Sequence, residues 1–116
     1  MPTKLTTPTA DICLYGNRTA GFDWLASHNG RLIEGGYDPE RGLRFGTITE
    51  SIWAAQDALT ADGAEGDVWI HAPGGELRAR ARLGEIPSAG SLRWEAALPA
   101  IIITAEQAEA AAEATR

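Results

Sequence analysis

The most constraining feature of this sequence is the stretch of residues 47–75, which reads TITESIWAAQDALTADGAEGDVWIHAPGG. Its first four residues match a capping box, in which the Thr47 hydroxyl accepts from a free helix amide and Glu50 reaches back. Apolar residues then recur at helical spacing on one face, while Gln56 lies off that face, and an Asp-Gly pair predicts the helix end. A short apolar strand over 67–72 follows. The stretch therefore predicts a helix, a turn and a buried strand.

Three further strands are predicted before this helix. Residues 10–15 are apolar at nearly every position, as in a central strand that is buried on both faces. Strands over 21–27 and 31–37 are joined by Asn29-Gly30, the strongest short signal for a hairpin with a type I′ turn. Residues 1–9 contain two prolines and four threonines, and we predict a flexible arm there.

The part of the chain after residue 75 is less regular. The segment 74–85 fits either a short helix or a strand in which arginine and alanine alternate; helix propensity and Gly84, at the position of a C-cap, favour the helix. A strand is predicted over 91–98, and 99–103 is either strand or buried loop. A second capping box at 104–107 opens a predicted helix to the end of the chain. Together these elements predict an α/β domain over 10–116, with a mixed sheet and helices on its faces.

Size and charge limit the classes of function. The chain has 116 residues, enough for one domain, and a formal net charge of −6. An acidic chain is not held on nucleic acid by bulk charge, although a local basic patch remains compatible. The single cysteine, Cys13, lies in an apolar strand, which predicts a buried structural thiol. With no disulfide, no signal peptide and no apolar run long enough for a membrane span, we expect a cytoplasmic protein away from the membrane.

The predicted order of elements resembles the ribonuclease H-like fold. Four segments carry the resemblance in the right order: ICLYGN as the first strand, TITESIWAAQDAL as the helix that contains an early Glu, VWIHAPGGEL as the fourth strand, and LRWEAALPA with the Ala-rich segment after it as the last strand and helix. The resemblance implies a five-stranded mixed sheet in the order 3-2-1-4-5, with strand 2 antiparallel. It spans about residues 10–114 and implies a shortened member of the family.

The family's phosphodiester chemistry uses four carboxylates around two divalent metal ions. By resemblance, these four positions fall on Tyr15, Glu50, Pro73 and Glu109. Tyrosine is a poor Mg²⁺ ligand because its hydroxyl is protonated at neutral pH, and proline offers no ligand. The resemblance therefore implies a degenerate site and no cofactor; Mg²⁺ or Mn²⁺ would be needed only if an atypical active nuclease were present.

Other side chains have both a functional and a structural interpretation. Glu50 is compatible with a role as a metal ligand or with capping alone. Glu109 is compatible with a role as a metal ligand or with a place on a solvated helix face. His71 is a general base or a core histidine for which the sequence indicates no partner. Gly74-Gly75 would cradle an anion before a helix or form a tight turn. The only basic cluster is Arg78, Arg80 and Arg82, and helical spacing would spread it around the surface.

These observations lead to three hypotheses. The first is a non-catalytic ribonuclease H-like domain that acts by binding a protein partner or a second copy of itself, as an accessory protein of the kind that phages and mobile elements encode. The second is an active metal-dependent nuclease with an atypical site. The third is a nucleic-acid-binding module that uses the three arginines.

Overall fold

A computed structural model describes residues 8–97 of the chain. The described part has six strands and one α-helix; β1 is Ala10–Asn17, β2 is Gly21–His28, β3 is Arg31–Leu32, α1 is Ile48–Ala61, β4 is Asp67–His71, β5 is Leu77–Arg82 and β6 is Glu95–Ala96. A single 3₁₀ turn, Ala89–Ser91, precedes β6. The predictions for 99–103, for the helix after 104 and for Glu109 lie outside the described residues.

The strands form one mixed sheet in the order β3-β2-β1-β4-β5-β6. β1 is parallel to β4, and all other neighbours are antiparallel. The predicted α/β class, the central position of β1 and the antiparallel second strand are confirmed. The predicted number of five strands is wrong for the described residues, because the segment that was expected to be a helix adds a strand between β4 and β6.

The segment 74–85, predicted to be a helix, instead contains the strand β5. Alanine and arginine favour helix locally, but their strict alternation also fits a pleated strand with one apolar and one polar face. Pairing along all of β4 settles the choice, because Ala79 then lies fully buried on the core side while its arginine neighbours lie on the other side. Tertiary pairing here overrides intrinsic propensity.

The hairpin turn is as predicted, but the returning strand is shorter than expected. Asn29 and Gly30 both have positive φ, 53° and 80°, as a type I′ turn requires. Regular pairing stops after Leu32, although the amides of Ile33 and Tyr37 still donate to the carbonyls of Ala26 and Trp24 on β2. Gly35, between them, takes a φ of 97°. Phe22, at the far end of β2, pairs with Phe45 instead.

The main core lies between one face of the sheet and α1. The helix begins at the predicted cap, Thr47, and ends at Asp62. Its apolar stripe packs against alternate residues of β1, β2 and β4; the fully buried members include Ile12, Ile52, Leu59, Val68 and Ile70. We call this side of the sheet the helix face and the other side the far face.

Three side chains of α1 hold the segment that connects β5 to β6. Thr49 Oγ1 accepts from the amide of Ala89, Trp53 Nε1 donates to the carbonyl of Ile86, and Gln56 Oε1 accepts from the amide of Gly84 at 2.7 Å. The expectation that Gln56 lies off the buried stripe is therefore wrong: it is buried because it satisfies this loop amide. Ile86 of this segment is buried in the main core.

Candidate functional site

The far face of β4 and β5 carries the strongest concentration of functional groups. In the antiparallel register, His71 lies opposite Arg78 and Trp69 lies opposite Arg80. Alternation along β5 places Arg82 on the same side. We call these five residues the arginine face. The expectation that Arg78, Arg80 and Arg82 spread around the surface is wrong, because a strand aligns every second residue whereas a helix would not.

Two of these arginines are paired with Asp67 at the start of β4. Arg80 Nε donates to Asp67 Oδ2 at 2.7 Å, and Arg82 Nε lies 3.6 Å from Asp67 Oδ1. Arg82 is 64% exposed, so its pair is a weak solvent-screened contact. Asp67 is thus shared by two arginines, in a close contact with Arg80 and a weak one with Arg82.

Arg78 is the buried member of the row. Its residue is only 8% exposed, and its guanidinium carbon lies 3.8 Å from the centroid of the Trp69 ring, a close cation–π contact. The nearest described carboxylate, that of Glu95 on β6, stays 3.5 Å from Arg78 Nε. Arg78 Nε and Nη1 are buried and have no hydrogen-bond partner among residues 8–97. Arg78 is therefore the most buried arginine of the face, and its guanidinium still has N–H groups without an acceptor among the described residues.

His71 has a partner that the sequence did not reveal. It is 1% exposed, and its Nε2 lies 3.1 Å from Oδ1 of Asp11. The two residues are 60 positions apart, and the parallel register of β1 with β4 brings them together by pairing Asp11 with Trp69. His71 Nδ1 has no hydrogen-bond partner in the described part of the chain. The carboxylate fixes the orientation of the ring, as in many buried histidines.

The arginine face is charge-balanced. Its three arginines are matched by the three nearby carboxylates just described, those of Asp11, Asp67 and Glu95. A surface that binds phosphates needs an excess of positive charge, because affinity comes from neutralising phosphates and releasing counterions. Arginine and tryptophan in balanced surroundings are instead typical of protein interfaces.

Tyr15 lies near the end of β1, where the resemblance implies a metal-binding acid. It packs in a small far-face cluster with Cys13, Leu25 and Tyr37, and the two tyrosine ring centroids are 5.6 Å apart. Burial raises the pKa of the Tyr15 hydroxyl well above its ordinary value, with a smaller contribution from Cys13. The hydroxyl is therefore protonated at any physiological pH and is not an anionic metal ligand. Cys13 is buried as predicted.

Pro73 lies in the tight turn between β4 and β5. Gly74 and Gly75 have φ values of 91° and 76°, and the amide of Gly75 donates to the carbonyl of Ala72 at 2.9 Å. The two glycines thus build a hairpin turn. No helix follows them, so the interpretation as an anion cradle at a helix start is wrong.

Glu50 is engaged in capping. Its amide donates to Thr47 Oγ1 at 3.1 Å, and that hydroxyl donates in turn to Glu50 Oε1 at 3.0 Å. The side chain therefore meets the cap hydroxyl and not a backbone amide, a variant of the predicted box. Within residues 8–97 there is no group of three or more His, Cys, Asp or Glu side chains that could hold a metal ion.

Sequence reasoning missed a buried ion pair beside this edge. Asp23, opposite Tyr15 in the β1–β2 register, is completely buried and accepts from Arg44 Nε and Nη2, both at 2.7 Å. It also accepts from the amide of Trp24. The hydrogen bonds that Arg44 donates to Asp23 raise the pKa of its guanidinium. The available signal was an aspartate in the middle of an otherwise apolar strand, which requires a partner.

No helix in the described range, residues 8–97, is long and apolar enough to cross a membrane. Comparisons with protein-family models, with curated proteins and with solved structures find no match. The resemblance to the ribonuclease H-like family therefore stays a prediction, and what this chain is known to be is a compact α/β domain with a mixed six-stranded sheet and one helix over its described residues.

Proposed function

We propose that this chain is a non-catalytic ribonuclease H-like domain that binds a protein partner through its arginine face. The observation that carries the proposal is the buried, incompletely satisfied Arg78 stacked on Trp69 in charge-balanced surroundings. Tryptophan and arginine are the residues most enriched in binding hot spots, where they lie in well-packed, desolvated positions. A purely structural arginine would be expected to have its buried donors paired.

The non-catalytic part of the proposal rests on the edge where the family's metals would bind. Tyr15 is buried against Tyr37 with its proton retained, and Pro73 shapes a turn. Glu50 is a carboxylate at one of the implied positions, and its capping contact explains it without a metal ion. Two-metal hydrolysis needs several oxygen ligands converging on both ions, which these residues do not supply.

The proposal is tested by capturing partners from a lysate of the source cell with full-length protein as bait. We expect Trp69→Ala to lose a specific partner that the wild-type chain retains. Leu77→Ala is the control, because Leu77 is 45% exposed and alternation along β5 places its side chain on the other side of the sheet from Arg78. Circular dichroism and melting temperature confirm that both variants fold. A partner set that Trp69→Ala leaves unchanged would reject the arginine face as the binding surface.

The partner can also be a second copy of this chain. Sedimentation velocity of the purified protein distinguishes the two forms of the proposal. If the wild-type protein is a dimer and Trp69→Ala is a monomer, the arginine face mediates self-association. If the wild-type protein is a monomer, the partner is a different protein.

One observation favours a second candidate, nucleic-acid binding. As a strand, β5 aligns three arginines beside an aromatic ring. Proteins that bind single-stranded nucleic acids use this combination to contact the backbone and the bases. This candidate predicts affinity with a salt slope that falls by about one for each phosphate-contacting arginine removed. Arg82→Gln is the most informative variant, because Arg82 has the most exposed side chain of the three arginines. Salt-independent or absent binding would dismiss the candidate.

A further inference from the structure

The arginines of this protein satisfy their donors very differently. Arg44 makes two hydrogen bonds of 2.7 Å to one carboxylate, and Arg80 makes one of the same length to Asp67. These are ordinary lengths for a charged guanidinium–carboxylate contact. Arg78 is more deeply buried than Arg80, yet its closest carboxylate oxygen in the described chain is 3.5 Å from Nε. The position that most needs an acceptor therefore lacks one.

The Trp69 ring holds the Arg78 guanidinium in place without satisfying it. Stacking at 3.8 Å covers one flat side of the guanidinium, but the N–H groups point outward in its plane and need acceptors there. Leaving buried N–H groups unpaired is destabilising, because they have lost water and gained no acceptor. A guanidinium fixed by stacking and missing in-plane acceptors is preorganised for a ligand that supplies them.

The charges around Arg78 select the kind of ligand. Asp67 lies within ion-pair distance of Arg80 and Arg82, whereas the one described carboxylate at Arg78 is that of Glu95, at 3.5 Å. Glu95, at 56% exposure, partly offsets the charge of Arg78 and would be displaced by a competing acceptor. A planar carboxylate with one negative charge matches a single guanidinium, whereas a phosphate dianion would meet added repulsion from the neighbouring acids.

We propose that Arg78, held on Trp69, binds a carboxylate side chain of the partner protein, in exchange for its long contact with Glu95. This inference rests on the proposed function, because it assumes that the arginine face meets a protein. It requires that the partner place an aspartate or a glutamate against Arg78. Glu95 then acts as an internal competitor that weakens binding of other carboxylates.

The test follows the Arg78 Nε–H resonance by NMR in the ¹⁵N-labelled full chain. The probe is a blocked peptide with one glutamate among alanines, compared with the same peptide carrying glutamine. We expect the glutamate peptide to shift this resonance and the glutamine peptide not to. Arg78→Lys should weaken binding by at least about tenfold, because a point charge does not reproduce the guanidinium fork. Arg41→Lys, outside the arginine face, should leave binding unchanged.

Glu95→Gln separates a ligand site from a structural contact. If Glu95 competes with the ligand, this variant binds the glutamate peptide more tightly, by about threefold or more for a weak surface pair. Unchanged or weaker binding in Glu95→Gln, no shift at millimolar peptide, or equal shifts from inorganic phosphate and the glutamate peptide would each overturn the inference. Loss of a captured partner in Trp69→Ala would still support the arginine face as the binding surface, so the two failures are distinguishable.

Discussion

Removing Arg44 should destabilise the domain strongly, because it leaves the Asp23 carboxylate buried with one hydrogen bond. Asp23 is fully buried, and two of its three contacts come from this guanidinium. Breaking a buried pair by removing one partner costs about 3–5 kcal/mol. Arg44 keeps 29% of its side chain exposed, so we expect Arg44→Ala to fall near the lower end, about 3 kcal/mol. For a domain of this size that is about 12 °C in melting temperature.

The measurement is urea unfolding followed by tryptophan fluorescence, with calorimetry for the melting temperature. Arg41→Ala is the matched control, because its pair with Asp38 spans 3.4 Å and both side chains are over 40% exposed. It should cost under about 1 kcal/mol. The double variant Asp23→Ala with Arg44→Ala should lose clearly less than the sum of the single changes. A loss below about 1 kcal/mol in Arg44→Ala, or strict additivity, would refute the assignment of a desolvated, coupled pair.

Two further predictions concern the backbone and the acid range of pH. Gly16→Ala should prevent stable folding, because its Cβ would lie 2.0 Å from the carbonyl oxygen of Gly21 at a φ of 110°. Gly30→Ala meets no atom within 4 Å and should cost only about 1–2 kcal/mol for its positive φ. Circular dichroism shows whether each variant folds, and a Gly16→Ala protein that unfolds cooperatively at the wild-type denaturant midpoint would contradict the prediction. The hydrogen bonds that a histidine and an arginine donate to Asp62 lower the pKa of its carboxyl, so they contribute stability above the ordinary value of 3.8 that is lost as pH falls through the lowered pKa. Asp62→Asn should therefore flatten the acid limb of a melting-temperature profile, and an unchanged limb would contradict this origin.

Local signals in the sequence predicted part of the fold well. The cap at Thr47 and the positive-φ turn at Asn29-Gly30 depend on neighbours within a few residues, so short patterns are sufficient to find them. The double-sided burial of β1 followed from its continuous apolar run. These features do not depend on which strand lies next to which.

The arginine face could not be predicted because it depends on long-range pairing. In the β5 segment, alanine and arginine are compatible with helix and with strand, and only the neighbouring β4 decides. The contact between His71 and Asp11 likewise requires the parallel register of β1 with β4. A wrong element type for β5 dispersed the three arginines and hid the stack of Arg78 on Trp69. Such clusters become visible only once the register is known.

The most direct test of the central claim is a cleavage assay with an RNA/DNA hybrid in the presence of Mg²⁺ or Mn²⁺. We predict no cleavage above a protein-free blank, because Tyr15 and Pro73 occupy two of the four positions where the resemblance implies metal-binding acids. Glu50→Ala is the control, since Glu50 is the carboxylate among those four positions that lies within the described residues. Robust metal-dependent cleavage that disappears in Glu50→Ala would contradict the account and identify an active nuclease.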